Sequence, residues 1–445
     1  MDRNGKILAG LALCAFPALF PCRAQEAWDL ERCIEHAVSH NLAVKQQEAA
    51  RDRSEIELNT ARWSRLPDLN GTASHSFNFG RSLQADNTYR RINTQSTGFG
   101  LSTSIPLFTG MQIPNTVALS ELNLQAAVED LNKAKEDVSL QVVSAYLQVL
   151  FNQELAKVAH EQVALSKEML AQKAAFFENG KASESEWLEA KARVAQDELS
   201  AVQADNNCGL SLLELTQLLE LPSPDGFQVV SPEVRMEQLA EDLTPPADIY
   251  SQAVLAKPSV RAAQYRLQGA ARSVRIARSG YYPRLSLGAG LSTNYYHVSG
   301  RSNAAFRPQL RDNFSQYLGF SLSVPIFDRL DTRNRVRSAK VEQISLSWQL
   351  EEAKKALYKE IQQAYYNALN AKARYESSLA ADEAAGASFR LMKEKYVAGK
   401  ANATEYNETR LGWMKALSDC IQAKYDYLFR TKVLDFYKGI PLVLE

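Results

Sequence analysis

The sequence predicts an α+β membrane fold in which long antiparallel coiled-coil helices, building a helical barrel, carry four transmembrane β-strands, the whole written twice in one chain. Three observations predict it: an internal repeat with a period of 216 to 219 residues, four segments of two-residue alternation, and apolar stripes at helical spacing sustained over about 65 residues. Each half reads helix, strand, polar loop, strand, very long helix, Gly turn, returning helix.

The repeat sets the organisation. Arg62-Trp63-Ser64-Arg65-Leu66-Pro67-Asp68-Leu69 returns as Arg278-Ser279-Gly280-Tyr281-Tyr282-Pro283-Arg284-Leu285, and Ile105-Pro106-Leu107-Phe108 returns as Val324-Pro325-Ile326-Phe327. Ala145-Tyr146 returns as Ala364-Tyr365, and the turn Asn179-Gly180-Lys181 as Ala398-Gly399-Lys400. The first repeat spans 25–221 and the second 247–440, joined by a linker over 222–246 where Pro222, Pro224, Gly226, Pro232, Pro245 and Pro246 cluster. A short tail, 441–445, ends the chain.

Residues 1–24 read as an export signal. Arg3 and Lys6 precede an apolar run from Ile7 to Phe20, and Ala24 stands before polar Gln25, which places cleavage after Ala24. Lipid attachment at Cys22 fits less well, because Phe20-Pro21 replaces the usual small residues. Loss of the signal leaves Cys33, Cys208 and Cys420, an odd number on helical segments that reads as single buried thiols. No later segment holds 18 consecutive apolar residues, so a membrane would be entered through strands.

The elements follow in order. The first helix is expected from about Leu30 to Arg65 and its counterpart from about Ala247 to Ser279, stopped by Pro67 and Pro283. In the first strand Leu69, Gly71, Ala73, His75, Phe77 and Phe79 oppose Asn70, Thr72, Ser74, Ser76 and Asn78. The next sets Phe99, Leu101, Thr103 and Ile105 against small residues. The second half repeats this with Leu285, Leu287, Ala289, Leu291 and Tyr295, then Leu318, Phe320, Leu322, Val324 and Ile326. Apolar on one side and small-polar on the other is what a bilayer-spanning strand requires. Polar loops over 81–94 and 297–315, carrying Arg81, Arg90, Arg91, Arg301, Arg307 and Arg311, would face the exterior.

The long helices run from about Gln112 to Phe177, with Leu124, Val128, Leu131, Val138, Val142, Ala145 and Val149 in steps of four and three with a gap at Lys135. The second copy shows Leu350, Leu357, Ile361, Ala364, Ala368, Ala371 and Tyr375. At about 1.5 Å per residue such a helix spans roughly 100 Å. Returning helices follow over 183–221 and 403–438. Four strands cannot close a barrel, so other copies must complete it, and three copies would supply about twelve strands.

On these features, the duplicated helix–Pro–strand entry, the Pro-Leu-Phe and Pro-Ile-Phe strand exits and the two Gly hairpins, the chain resembles the outer membrane efflux protein family, the TolC-like trimeric export ducts. The resemblance implies a homotrimer embedded in outer-membrane lipid of a Gram-negative bacterium, with its helical tube in the periplasm. It further implies docking with a periplasmic adaptor (membrane fusion) protein and an inner-membrane transporter, passive conduction to the cell exterior, no catalysis and no cofactor. By the same resemblance the hairpin tips Asn179, Gly180, Lys181 and Ala398, Gly399, Lys400 meet the adaptor. Glu186, Tyr396, Glu405 and Glu408 match the aperture, where rings of carboxylates would favour cations. The family's basic partner of the gate tyrosine would fall on Ala401, a departure that puts that contact in question. Acids in the first turn also suit a helix dipole without any gating role.

Other functions find little support. Lys+Arg and Asp+Glu are equal at 51 each, which leaves no net charge for nucleic acid. His36 and His40, one turn after Cys33, have a metal-compatible spacing but no further ligand cluster. No nucleophile triad, phosphate loop or HExxH occurs. The rival reading is a soluble periplasmic coiled-coil scaffold or adaptor, for which four alternating strands would have no use.

Overall fold

The computed structural model describes residues 27–83, 87–232 and 244–443. The expected export signal, with Cys14 and Cys22, and residues 233–243 of the linker lie outside the described residues.

Each repeat opens with two helices rather than the single one expected. Helix α1 (Leu30–His40) and α2 (Leu42–Trp63) are separated at Asn41, which is extended and accepts a hydrogen bond from the Ala43 amide at 2.9 Å. Its Nδ2 donates to the Leu218 carbonyl, so a tertiary contact holds the break. In the second repeat α5 (Pro246–Ala256) and α6 (Pro258–Arg278) part at Lys257. There the ring of Pro258 drives the preceding residue out of helical conformation. One cap and one proline thus produce the same bend.

The four alternating segments form one antiparallel sheet, in the order β1 (Asn70–Asn78), β4 (Thr94–Phe108), β5 (Arg284–Val298), β6 (Ser315–Ser323). Its register brings the apolar sets together. Gly71 faces Leu101, Leu101 faces Leu291, and Ala73 faces Phe99. Leu287 faces Phe320, and Leu285 faces Leu322. The other face carries Asn70, Ser102 and Gly290 in one row, then Thr72, Gly100 and Ser292 in the next. Strands β1 and β6 are exposed throughout, and Leu318 and Phe320 are each 72% accessible.

Two expectations about this region are corrected. The fourth strand stops at Ser323, short of Val324 and Ile326, since Pro325 lacks an amide to donate and β6 has a neighbour on one side only. In β4 the equivalent Pro106 is tolerated next to a register shift between Pro106 and Phe108. The polar stretches are not plain loops either. The first holds a hairpin of β2 (Arg81–Leu83) and β3 (Tyr89–Arg91), and the second holds helix α7 (Phe306–Asp312).

Helices α3 (Gln112–Glu178) and α8 (Asp331–Val397) are 67 residues each, and α4 (Glu184–Leu218) and α9 (Ala403–Lys438) return beside them. Both long helices start from a pair of left-handed residues: Gly110 and Met111 in one repeat, Arg329 and Leu330 in the other. Nearest the sheet the packing order is α2–α3–α6–α8, and beyond it α4–α3–α9–α8. Residues Leu131, Val138, Val142, Ala145 and Val149 of the expected stripe are buried, as are Leu357, Ile361, Ala364, Ala368 and Ala371. Val128 is exposed. The main core lies mid-helix, where α1, the end of α4 and the linker's Phe227 and Val229 close over α3. Tyr146 is buried there and donates its hydroxyl hydrogen bond to the Val230 carbonyl at 2.6 Å.

Charged pairs join the repeats across α3 and α6. Arg261 meets buried Glu129 at 2.7 Å, Arg266 pairs with Asp130, and Lys257 reaches Glu136 at 3.3 Å. Cys33 and Cys420 are buried thiols, but Cys208 is only half-buried, which corrects its expected placement. Among the described residues no helix is long and apolar enough to cross a membrane.

Candidate functional site: the hairpin tip

The tip is made by the turns that reverse α3 into α4 and α8 into α9. Gly180 (φ +73°) and Gly399 (φ +70°) are left-handed, a conformation without steric cost only for glycine. Gly180 N donates to the Phe177 carbonyl and Lys181 N to that of Phe176; Gly399 N donates to Tyr396 and Lys400 N to Lys395. Both turns are therefore Schellman closures that satisfy the last carbonyls of the long helices. Asn179 adds a side-chain hydrogen bond to the Ala175 carbonyl, while Ala398, its equivalent, has no such group to offer. Lys181 and Lys400 contribute backbone amides to the turns, and both residues are exposed.

The returning helices start from side-chain caps. Ser183 accepts from the Glu186 amide at 3.3 Å, and Asn402 accepts from the Glu405 amide at 2.8 Å. The Glu405 carboxylate in turn accepts from the Asn402 amide at 3.3 Å, which completes a capping box. Glu405 thus has a local helix-starting duty. Glu408 lies three residues on, exposed, on the same helix face.

Glu186 and Tyr396 come together through a residue that the sequence did not single out. Lys173 of α3 bonds the Glu186 carboxylate at 2.6 Å, and its ammonium lies 5.5 Å from the centre of the Tyr396 ring. Burial alone would lower the Lys173 pKa. Hydrogen bonds to Glu186 and Tyr396 outweigh that and hold it above the ordinary lysine value. The Tyr396 ring packs at 4.8 Å against Tyr406, which is buried. So Lys173, not a residue near Ala401, is the cation beside this tyrosine.

Below this contact lies a buried ionic cluster. Arg410 of α9 is 0% exposed and donates to Asp197 of α4 at 3.1 Å, while Arg193 approaches the other Asp197 oxygen at 3.2 Å. Gln162 of α3, with its amide oxygen turned toward the guanidinium, accepts from Arg410 at 2.7 to 3.0 Å. Burial, and then Arg193, lower the Arg410 pKa, but Asp197 and Gln162 keep the cation hydrogen-bonded. This cluster ties the first hairpin to the second. The available signal was an arginine on the stripe of α9 that buries Tyr406, Cys420, Ile421 and Tyr427.

Comparison with known proteins gives this geometry its family. The sequence model described as "Outer membrane efflux protein" matches residues 33–220 and 249–437, so the chain belongs to that family. It is an outer-membrane protein of the Gram-negative efflux-channel class and not an enzyme. The soluble-scaffold reading falls with that membership. TolC of Escherichia coli K12 is 23% identical over 95% of this chain and 83% of its own length. BepC of Brucella suis is 23% identical, over 60% of this chain and 54% of its own length. SilC of Salmonella typhimurium is 26% identical, over 61% and 56%, so the chain spans just over half of these two relatives. Among solved structures, a membrane protein of Pseudomonas aeruginosa superposes with a TM-score of 0.76 at 18% identity, covering 92% of this chain and 93% of that one. VceC of Vibrio cholerae gives 0.73 at 16%, covering 93% and 96%. At these identities the likeness concerns the fold.

Proposed function

We propose that three copies close into one tube and serve as the outer-membrane channel of a tripartite efflux or secretion system. The observation that carries this reading is a pair of edges that have no partner among the described residues. The sheet ends in β1 and β6. Directly continuous with them in the chain, the helical layer ends in α2 and α8. Along α2, Leu42, Ile56 and Trp63 are exposed; along α8, Val341, Ile344 and Trp348 are. Helix and strand therefore present matched apolar borders on both sides of the protomer. Closure by cyclic symmetry covers both at once and joins upward β1 to downward β6. Twelve strands, four from each of three copies, then form a barrel with its apolar face to lipid.

In this arrangement residues 1–24 direct export and are removed, 25–221 and 247–440 are the two repeats, and 222–246 joins them. The helical tube stands in the periplasm. The tips at Asn179–Lys181 and Ala398–Lys400 meet an adaptor, which links the tube to an inner-membrane transporter. Glu186, Glu405 and Glu408 ring the entrance with negative charge, and Lys173 with Tyr396 holds the hairpins in register. Full-length protein extracted from outer membranes with detergent is expected to have the mass of three chains and to conduct in planar bilayers. A salt-extracted monomer without conductance would defeat the proposal.

A further inference from the structure

We propose that the outer rim of the sheet binds a phosphorylated outer-leaflet lipid, its acyl chains on the apolar face and its phosphate on the arginines of α7. The inference rests on the reading that this face meets lipid.

The last turn of β5 runs beyond β6, which pairs only as far as Ser292. Its free edge is closed by side-chain amides from the following segment. Tyr296 N donates to Gln309 Oε1 at 2.9 Å, and Gln309 Nε2 donates to the Tyr296 carbonyl at 3.0 Å. Asn303 brackets Val298 in the same way at 2.8 and 2.9 Å, and Asn313 donates to the Asn294 carbonyl at 2.8 Å. Three amides thus continue the ladder that β6 leaves off and fix α7 to the sheet.

The side on which α7 lies follows from its neighbours. Tyr295 shares a row with Thr97 and His75, hence with the apolar set, and Phe306 packs edge-on against it at 5.1 Å. Phe314, just after α7, borders a shallow open groove on that face, together with Ala73, Phe99, Leu101 and Leu291. An apolar groove therefore runs up to a helix whose Arg307 and Arg311, four apart, share one exposed face. Arg311 contacts Asp312 at 2.8 Å in a solvent-exposed pair that opposes anion binding little.

The hairpin at the same end of the sheet adds an independent observation. Arg81 stands opposite Arg91 in register, with Arg90 beside it, all exposed. Like charges directly across a ladder repel, and an anion between them relieves this. Over 81–94 and 297–315 there are six arginines against two aspartates. A cationic rim above an apolar groove matches an amphiphile with a phosphate headgroup, for which guanidinium offers paired donors.

The test uses the full chain in phosphatidylcholine nanodiscs, titrated with diphosphoryl lipid A and with its dephosphorylated form, and read by native mass spectrometry. The phosphorylated lipid is expected to bind about thirtyfold tighter, and Arg307→Gln with Arg311→Gln to abolish that preference while conductance stays unchanged. Equal binding of the two lipids, or a double variant that keeps the preference, overturns the inference. Displacement of the lipid by millimolar inorganic phosphate would reveal a plain anion site and overturns the lipid assignment. A chain that never enters the nanodisc defeats the reading of the sheet itself. One that enters, conducts and shows no phosphate preference defeats this inference alone.

Discussion

At the scale of single residues, the junction between helix and sheet is governed by backbone handedness. Gly110 has φ +61°, and a Cβ built there would stand 2.7 Å from the Tyr282 Cβ and 2.8 Å from the Ser279 carbonyl. Gly110→Ala is expected to cost about 1–3 kcal/mol, from left-handed strain and the close approach together. Arg329 takes the matching place in the second repeat with φ +55° and is exposed. Arg329→Gly should therefore stabilise by about 1 kcal/mol. Thermal unfolding of both variants in detergent checks the opposite signs. Cysteine chemistry is equally local. Burial, reinforced by Asp29, pushes the Cys33 thiol up to about 12, and the residue is fully enclosed. Alkylation at about pH 8 should modify half-buried Cys208 and leave Cys33 untouched until the chain unfolds, as peptide mass spectrometry would show.

At the scale of elements, the tip is held by two ties of different depth. Lys173 with Glu186 and Tyr396 is partly open to water, so its worth is below about 1 kcal/mol. Its raised pKa gives stability that is whole below the ordinary lysine value and lost as pH rises through the folded one. Lys173→Met should therefore loosen the tip equally at about pH 6 and pH 9, measured as hydrogen exchange at the hairpins. The Arg410–Asp197 pair is enclosed. Asp197→Leu alone would leave the fully buried Arg410 without its carboxylate and cost about 3–5 kcal/mol, and adding Arg410→Leu should recover most of it. Denaturant unfolding of the single and double variants separates the two cases. The entrance role proposed for Glu405 and Glu408 calls for a cap-preserving test. Glu405→Gln with Glu408→Gln keeps the capping-box geometry and should weaken cation preference in single-channel recordings; unchanged selectivity would remove the acids from that role.

These elements also show where sequence reading works. Helices α3 and α8 were legible because one stripe repeats over many turns, and the strands because their alternation survives in every row of the register. The bend at Asn41 was not, since an amide that caps a helix inside a longer apolar pattern declares itself only once Leu218 is near it. Pro258 could have marked the second bend. At the candidate site the turns were readable from Gly180 and Gly399. Lys173, Asp197 and Arg410 were not, because they lie on three helices far apart in sequence and meet only through tertiary packing.

At the scale of the whole molecule, the protomer is a strip with a lipid-like face at one end and bare edges along its length. Among the described residues nothing covers Leu318, Phe320 and Leu322 of its sheet, and its outer helices leave Trp63 and Trp348 65% and 71% exposed. Alone in water such a strip would aggregate. In the proposed assembly it is joined edge to edge into a closed wall, and the shared order α2–α3–α6–α8 and β1-β4-β5-β6 would make the two seams coincide. The most direct measurement is an electron cryo-microscopy structure of the full chain in lipid nanodiscs. The account expects three copies, with β1 of each hydrogen-bonded antiparallel to β6 of the next and α2 packed on the neighbouring α8. A particle in which β1 and β6 remain unpaired, or close on each other within one copy, would contradict it.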